Sequence, residues 1–348
     1  SDVYGLINKS NLFKRVIGNQ TIAVNKNFAY KLTKDRKNFT KTNLLTRDLS
    51  KRGFSRFFLK EIDDTEIFLK RTILNYIDIN KKSFRNFSHV LKPKIIERLK
   101  NKKINKIIFT GMGSCYTASV VISNYLSNRL LAAGINYIRV EATIASEGSG
   151  FHLSENMDDT IVVIIAQSGT TIDTNVFAKL AKSRGAYTLA LVNKKDGDVT
   201  FIVEDNLYLG NGRDIEMSVP STKTYTCHLV LGFIFSEKIL SIYTKKNKDH
   251  ITEMSKKLIS TNYINNLIKT LNLEINKIKF NILDYTNWVV VYDDSTYALN
   301  ALELRIKLSE CCYKAIPYMH VETFENMHLT QCLVFYVGYK VKPFTKKT

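Results

Sequence analysis

The apolar residues of this chain fall into short runs separated by longer amphipathic stretches. The clearest run is residues 161–165, five consecutive positions that are all Ile or Val. Such a run is typical of a strand buried on both faces of a parallel sheet. The same reasoning predicts further strands at residues 106–110, 137–141, 186–192, 206–209, 287–292 and 333–339. Because helical patterns separate these runs, the chain is expected to form βαβ units, which bind ligands at the carboxyl ends of their strands.

Hydroxyl-rich segments stand at three of these expected strand ends. Residues 167–171 (Gln-Ser-Gly-Thr-Thr) follow the run at 161–165, residues 111–117 follow the strand at 106–110, and residues 216–223 precede another helix. Backbone N–H groups, hydroxyls and a helix N-terminus at one point can hold a phosphate without Mg²⁺ or a P-loop lysine. The alternative is that Ser168 and Thr171 are only helix N-caps. Three such loops on one sheet favour an anion site.

These segments also carry a family resemblance. Four motifs occur in the same order in sugar-isomerase (SIS) phosphosugar-binding domains, namely Gly113-Ser114-Cys115-Tyr116, Ala145-Ser146-Glu147, Gln167-Ser168-Gly169-Thr170-Thr171 and Val219-Pro220-Ser221-Thr222-Lys223. Residues 54–62 and 301–310 resemble two segments of the isomerase half of glutamine–fructose-6-phosphate amidotransferases. The resemblance covers roughly residues 54–332. It implies an α/β fold with two SIS-type doubly wound parallel-sheet domains.

The resemblance also implies a division of the chain. Residues 1–53, with a hairpin expected within 21–32, correspond to the end of a glutaminase domain plus a linker. A helical lead-in (54–103), a first SIS domain (104–245), a helical bridge (246–286) and a second SIS domain (287–348) follow. In the lead-in, two helices are expected over residues 60–100, with Ile67, Thr72, Leu74 and Ile77 on one side of the first. Since the family's glutaminase nucleophile is an N-terminal cysteine and the first cysteine of this chain is Cys115, no glutaminase domain is expected within it.

The second domain departs from its relatives. It is expected to contain one clear strand, one long helix and a final strand, so either the domain is shortened or the given sequence is incomplete, and residues 292–294 replace the glycine-rich turn after its first strand. Three hypotheses follow: an active isomerase, a related phosphosugar isomerase or deaminase, and a non-catalytic protein that binds a sugar phosphate.

Seven residues correspond to the family's substrate contacts. The phosphate is expected to be anchored by Ser114, Cys115, Gln167, Ser168 and Thr171, whereas Val219 and Ser221 are expected to line the sugar. Cys115 stands where relatives usually have serine, which weakens one hydrogen bond. Lys223 is either part of this site or only a solvated lysine at a helix start.

Three residues correspond to the family's catalytic groups. Glu310 matches the base that moves a proton between C1 and C2, and Lys307 lies one helical turn before it. Without the resemblance, these two residues would be interpreted as a surface ion pair. His328 follows Glu325 at the family's Glu-x-x-His spacing and would assist ring opening, with His320 as the competing candidate.

Composition adds limits and one further hypothesis. The chain has 348 residues, five cysteines without a CxxC pair and no uninterrupted apolar stretch long enough for a membrane span. A cytoplasmic protein without metal, other cofactor or membrane partner is therefore expected. The family resemblance implies fructose 6-phosphate or glucosamine 6-phosphate as its ligand. The resemblance also implies a homodimer.

The net charge of +19 is high for a metabolic enzyme. Lysine-rich stretches occur at 26–56, 92–106, 245–248, 256–257 and 340–347 and are expected in loops, linkers and termini. They indicate either a solvated surface, which we prefer, or an RNA-associated protein that keeps the SIS fold without catalysis. The second interpretation lacks a recognisable nucleic-acid-binding motif.

Overall fold

The computed structural model describes residues 9–10, 12–13, 39–41, 50–212, 214–244, 247–260, 262–279, 281–327 and 331–339. Two compact units divide the chain, Ser1–Ser55 and Arg56–Thr348. In the first unit, β1 (Leu12–Phe13) pairs antiparallel with β2 (Thr40–Lys41). The hairpin expected within residues 21–32 lies outside the described residues.

The second unit begins with two helices, as the sequence predicted for residues 60–100. They are α1 (Phe57–Tyr76) and α2 (Pro93–Lys100). Between them, β3 (Ile77–Asp78) and β4 (Ser83–Phe84) form a small antiparallel hairpin. Pro93 occupies the first turn of α2, where its missing N–H has no helical partner to lose.

A five-stranded parallel sheet forms the centre of this unit. In chain order, its strands and intervening helices are β5 (Lys106–Gly111), α3 (Ser114–Ala132), β6 (Arg139–Ile144), α4 (Ala145–Glu147), a π-helical turn (Gly148–His152), β7 (Thr160–Ala166), α5 (Ile172–Ser183), β8 (Tyr187–Val192) and β9 (Asp205–Tyr208). The spatial order is β6-β5-β7-β8-β9. The chain therefore steps outward from β5 in both directions, which is the doubly wound arrangement.

Both faces of this sheet are covered by helices. On one face, α1, α3 and α6 (Lys223–Leu240) pack against it through buried residues such as Phe68, Leu126 and Phe235. On the other face, α5 packs through Phe177 and Ala178. All seven residues of β7 are buried, as expected for a strand with helices on both sides.

Four more helices and a second sheet complete the described chain. They are α7 (Asn247–Ser260), α8 (Tyr263–Ile275), β10 (Asn287–Tyr292), α9 (Ser295–Cys312), β11 (Tyr318–His320), α10 (Val321–Glu325) and β12 (Cys332–Val337). The second sheet has the order β11-β10-β12, with parallel pairing throughout. Trp288, Val290 and Ala301 form the centre of its small core. The predicted fold class is thus confirmed.

Some local predictions were wrong. The strand expected at 137–141 begins at Arg139 and continues to Ile144. For residues 92–106 the sequence supported two different expectations, a lysine-rich loop and the second helix of 60–100; the helix is correct, because Ile95 and Leu99 bury one face of α2. The second domain was expected to contain only two strands and a helix, and β11 and α10 lie between them.

The buried face of α1 was also misassigned. Ile67, Thr72, Leu74 and Ile77 were expected on one side of this helix. Thr72 and Ile77 are buried, but about half of the Ile67 and Leu74 surfaces is exposed. The inward face is instead formed by residues such as Phe68, Leu69 and Ile73. The error arose because this helix also buries Glu61 and Glu66, so polarity does not mark its outer face.

Candidate functional site

A pocket of about 170 Å³ opens at the carboxyl ends of β5 and β7. It is lined by two strand-end loops, by part of the segment before α6, and by one residue of α9. Lys307 does not line the pocket, and His328 lies outside the described residues. The other predicted site residues all line it, namely Ser114, Cys115, Gln167, Ser168, Thr171, Val219, Ser221 and Glu310. The structure thus brings together residues that are almost 200 positions apart in the sequence; their individual roles stay predictions.

Two glycines shape the turn between β5 and α3. Gly113 has φ of +55° and is the N-cap of α3, a backbone conformation that glycine adopts without strain. A Cβ at Gly111 would lie 2.8 Å from the backbone carbonyl carbon of Cys115. This position therefore requires glycine because the first turn of α3 packs directly against the strand end. The result places Ser114 and Cys115 at the pocket.

The loop between β7 and α5 presents hydroxyls at the same place. The Ser168 hydroxyl accepts a hydrogen bond from the backbone N–H of Thr170 and lies 2.8 Å from its hydroxyl. Thr171 is the N-cap residue of α5, but its side chain forms no capping hydrogen bond within the described part of the chain. The Thr171 side chain therefore does not cap α5, contrary to the N-cap alternative. The first N–H groups of α5 remain open to a ligand.

Cys115 lies at the pocket as a protonated thiol, which can form a hydrogen bond to a ligand. Burial is the main cause that raises its pKa, to about 12, and the backbone N–H of Gln167 only partly opposes this effect. Cys115 therefore remains a thiol at neutral pH. Because the thiolate is the nucleophilic and easily oxidised form, this geometry favours a ligand contact over redox chemistry.

Lys223 is not a solvated residue, so that alternative was wrong. Its side chain is buried, and its ammonium donates a hydrogen bond of 2.7 Å to the carbonyl of Ile215. Burial lowers the pKa of Lys223, while the nearby carboxylates of Glu216, Asp214 and Glu61 oppose that shift. Lys223 thus supports the segment before α6 from behind and does not line the pocket.

The long helix α9 brings charged groups to the pocket. The Lys307 ammonium lies 2.6 Å from the Ser114 hydroxyl, 2.9 Å from a Glu303 carboxylate oxygen and 3.8 Å from a Glu310 carboxylate oxygen. The pKa of Glu310 is raised, mainly by partial burial and also by the charge of Glu303, against the lowering effect of Lys307. A carboxylate with a raised pKa at the pocket wall can accept and return a proton near neutral pH.

Glu303 was not among the residues predicted from the sequence. Its carboxylate is buried, and both oxygens lack a geometrically acceptable hydrogen bond among the described residues despite the close ion pair with Lys307. The signal was present, since Glu303, Lys307 and Glu310 are spaced i, i+4 and i+7 and therefore share one helix face.

The histidine candidates have different outcomes. His320 does not line the pocket. Its Nδ1 accepts from the backbone N–H of Glu322, and its Nε2 lies 3.1 Å from the Asp293 carbonyl, so both ring nitrogens support local structure. His328 lies outside the described residues. In the turn that lacks the family's glycines, Asp294 caps α9 by accepting from the backbone N–H of Thr296.

The described residues contain neither a metal-binding cluster nor a membrane-spanning helix. No group of three or more His, Cys, Asp and Glu side chains is arranged there to hold a metal ion. None of the described helices combines the length and apolar character that a membrane span requires.

Comparison with known proteins identifies the family. Residues 99–235 match the family described as SIS domain. A glutamine–fructose-6-phosphate aminotransferase (isomerizing) from Clostridium tetani is 30% identical over 212 residues, which cover 60% of this chain and 32% of that protein. The enzyme of the same name from Pyrococcus horikoshii is 29% identical over 276 residues, covering 78% of this chain and 40% of that protein. The chain thus spans about a third to two fifths of these relatives.

A solved structure gives the same result for the fold. The C-terminal domain of glucosamine-fructose-6-phosphate aminotransferase from Francisella tularensis superimposes with a TM-score of 0.65 at 21% identity. The match covers 80% of this chain and 73% of that one. The resemblance drawn from the strand-end motifs is confirmed: the chain carries a SIS domain and is a relative of the glutamine–fructose-6-phosphate aminotransferases.

Proposed function

We propose that this chain is an isomerase module that converts fructose 6-phosphate and ammonia to glucosamine 6-phosphate. The observation that carries the proposal is one pocket lined by hydroxyl and N–H donors from strand-end loops and by a carboxylate from α9. In this proposal, a glutaminase activity outside these residues supplies the ammonia, and the module acts as a homodimer in the cytoplasm. The names of the curated relatives support the choice of substrate.

The phosphate fits best between the N-termini of α3 and α5. Ser114, Cys115, Ser168 and Thr171 line the pocket there, and the positive end of a helix dipole favours an anion, although at α3 the backbone N–H of Cys115 already donates to the Met112 carbonyl at 3.1 Å. The N-terminus of α6 differs, because the carboxyl group of Glu216 already accepts there from the backbone N–H of Thr222 at 2.8 Å. This difference between the helices gives the ligand an orientation, with its phosphate at α3 and α5 and its sugar toward Val219 and Ser221.

The sugar then reaches the charged face of α9. Glu310 would remove a proton from C1 of the ring-opened, protonated imine; the C–H electron pair would form the C1=C2 bond while the C2=N π pair moves to nitrogen, giving the enamine. The protonated Glu310 would then give its proton to C2, while the C1 hydroxyl loses its proton and becomes the aldehyde oxygen. Lys307 would stabilise the oxygen at C1, and its positive charge would partly offset the negative charges of Glu303 and Glu310. Ring opening is assigned to His328 only by the family resemblance.

Sugar phosphate binding is expected to stabilise the fold. At ten to a hundred times its dissociation constant, fructose 6-phosphate or glucosamine 6-phosphate should add about 1.4–2.7 kcal/mol to the free energy of unfolding. Thermal unfolding with and without the ligand measures this effect. Ser168→Ala should reduce the shift, whereas the exposed control Ser183→Ala on the far end of α5 should retain it. An unchanged midpoint for the unmodified chain would rule out a working phosphosugar site.

A further inference from the structure

Two buried carboxylates lie behind the segment that carries Val219 and Ser221. Glu61 comes from α1 and is fully buried, and Glu216 belongs to the segment itself and is almost fully buried. Both are described residues, and neither lines the pocket, so the proposed chemistry does not use them. Because burying a carboxylate is costly unless it accepts strong hydrogen bonds, the partners of these two groups indicate what they do.

Glu61 binds the first half of the segment. One of its oxygens accepts from the backbone N–H of Met217 at 2.5 Å. The other accepts from the backbone N–H of Ser218 at 3.2 Å and also from the Ser218 hydroxyl. A residue of α1, more than 150 positions away in the sequence, therefore satisfies the donors immediately before Val219.

Glu216 binds the second half. One of its oxygens accepts from the backbone N–H and the hydroxyl of Thr222 at 2.8 and 3.0 Å, and the other accepts from the Thr224 hydroxyl. The backbone carbonyl of Glu216 also accepts a 3.3 Å hydrogen bond from the Gln167 side chain. This last contact joins the segment to the loop that carries Ser168.

We infer that Glu61 and Glu216 form a carboxylate clamp that positions Val219 and Ser221 for the sugar part of the ligand. Both ends of the segment are fixed, while Val219 between them is 88% exposed at the pocket. Among the described residues, neither carboxylate hydrogen-bonds to the N-termini of α3 and α5, where the phosphate is expected; the contact from Gln167 is to the backbone carbonyl of Glu216. The two glutamates of the clamp are thus positioning residues that set affinity for the sugar and not for the phosphate. The inference rests on the proposed function, because it concerns the pocket in which that function places the sugar phosphate.

The test compares two ligands on one variant. Glu61→Gln keeps the side-chain size but replaces one accepting oxygen by an NH₂ group that faces N–H donors. Titration calorimetry with glucosamine 6-phosphate should give a dissociation constant raised by about tenfold, because charged hydrogen bonds to the segment are lost. The dissociation constant for inorganic phosphate should change by less than about twofold, since its contacts lie elsewhere.

Glu66→Gln is the matched control. Glu66 is also a buried glutamate of α1 that accepts from a backbone N–H, but its partners are Asn265 and Lys70, away from the pocket. It should leave the ratio of the two dissociation constants unchanged. The clamp is refuted if Glu61→Gln weakens both ligands equally, or if it changes the ratio no more than Glu66→Gln does.

Failure of the proposed function would be seen separately, as absence of glucosamine 6-phosphate binding by the unmodified chain. If Glu61→Gln does not fold, Ser218→Ala gives a second route, because it removes only one donor to Glu61 and leaves the carboxylate in place. A smaller loss of glucosamine 6-phosphate affinity, again without loss of phosphate affinity, is expected. Equal affinities for the unmodified chain and Ser218→Ala, for both ligands, would contradict the inference.

Discussion

Replacing Glu310 by glutamine is expected to slow proton exchange at C1 of fructose 6-phosphate by about 10²–10⁴-fold. The amide cannot accept the C1 proton, so the group that carries the proton between the two carbons is lost. Affinity for the sugar phosphate should change little, since Glu310 faces the reacting carbons and not the phosphate. Deuterium incorporation from solvent, followed by NMR, measures this step without ammonia or a glutaminase.

A glutamate of the same unit provides the control for this experiment. Glu274 of α8 is exposed, pairs with Lys277 and does not line the pocket, so Glu274→Gln should exchange at the unmodified rate. Exchange that survives in Glu310→Gln would exclude this residue as the base. If the unmodified chain binds the sugar phosphate but exchanges no protons, these residues form a phosphosugar-binding protein without catalysis, which is the alternative hypothesis.

The parallel sheet could be predicted because its strands are buried on both faces. The runs at 106–110, 161–165 and 186–192 contain almost only apolar residues, and the structure places strands there within one residue. The pocket followed from the same pattern, since parallel strands bring their carboxyl ends to one edge. Local order along the chain therefore sufficed to gather Ser114, Ser168 and Thr171.

The polar interior could not be predicted in this way. Glu61, Glu216 and Lys223 are buried, yet each would be assigned to the surface from its residue type. Their burial depends on donors and acceptors that lie far away in the sequence, such as the N–H groups of Met217 and Ser218 for Glu61. For the same reason the buried face of α1 was misassigned. Pairings of this kind are fixed by tertiary contacts and leave no periodic signal.

The charges on α9 lead to a prediction about pH. Glu310 must be ionised to accept a proton, so the exchange rate should rise with pH as Glu310 loses its proton. The pKa of Glu310 is raised, first by partial burial and then by the negative charge of Glu303, while Lys307 lowers it. Lys307→Met should therefore move the rising limb of the pH–rate profile to higher pH. It should also reduce the maximal rate by about 10²-fold, because a positioned cation is lost from the site.

Combining this change with Glu303→Gln separates the effect of charge from damage to the fold. Glu303→Gln alone removes the neighbouring negative charge and should move the rising limb to lower pH. In the double variant Lys307→Met with Glu303→Gln, the two opposite effects on the pKa of Glu310 should largely cancel, although the loss of maximal rate should persist. Exchange rates measured by deuterium incorporation as a function of pH provide the profiles of the unmodified chain, the two single variants and the double variant. If Lys307→Met moved the limb to lower pH, or if Glu303→Gln left it in place, α9 would not control the protonation of Glu310, and the assignment of this carboxylate as the base would lose its electrostatic support.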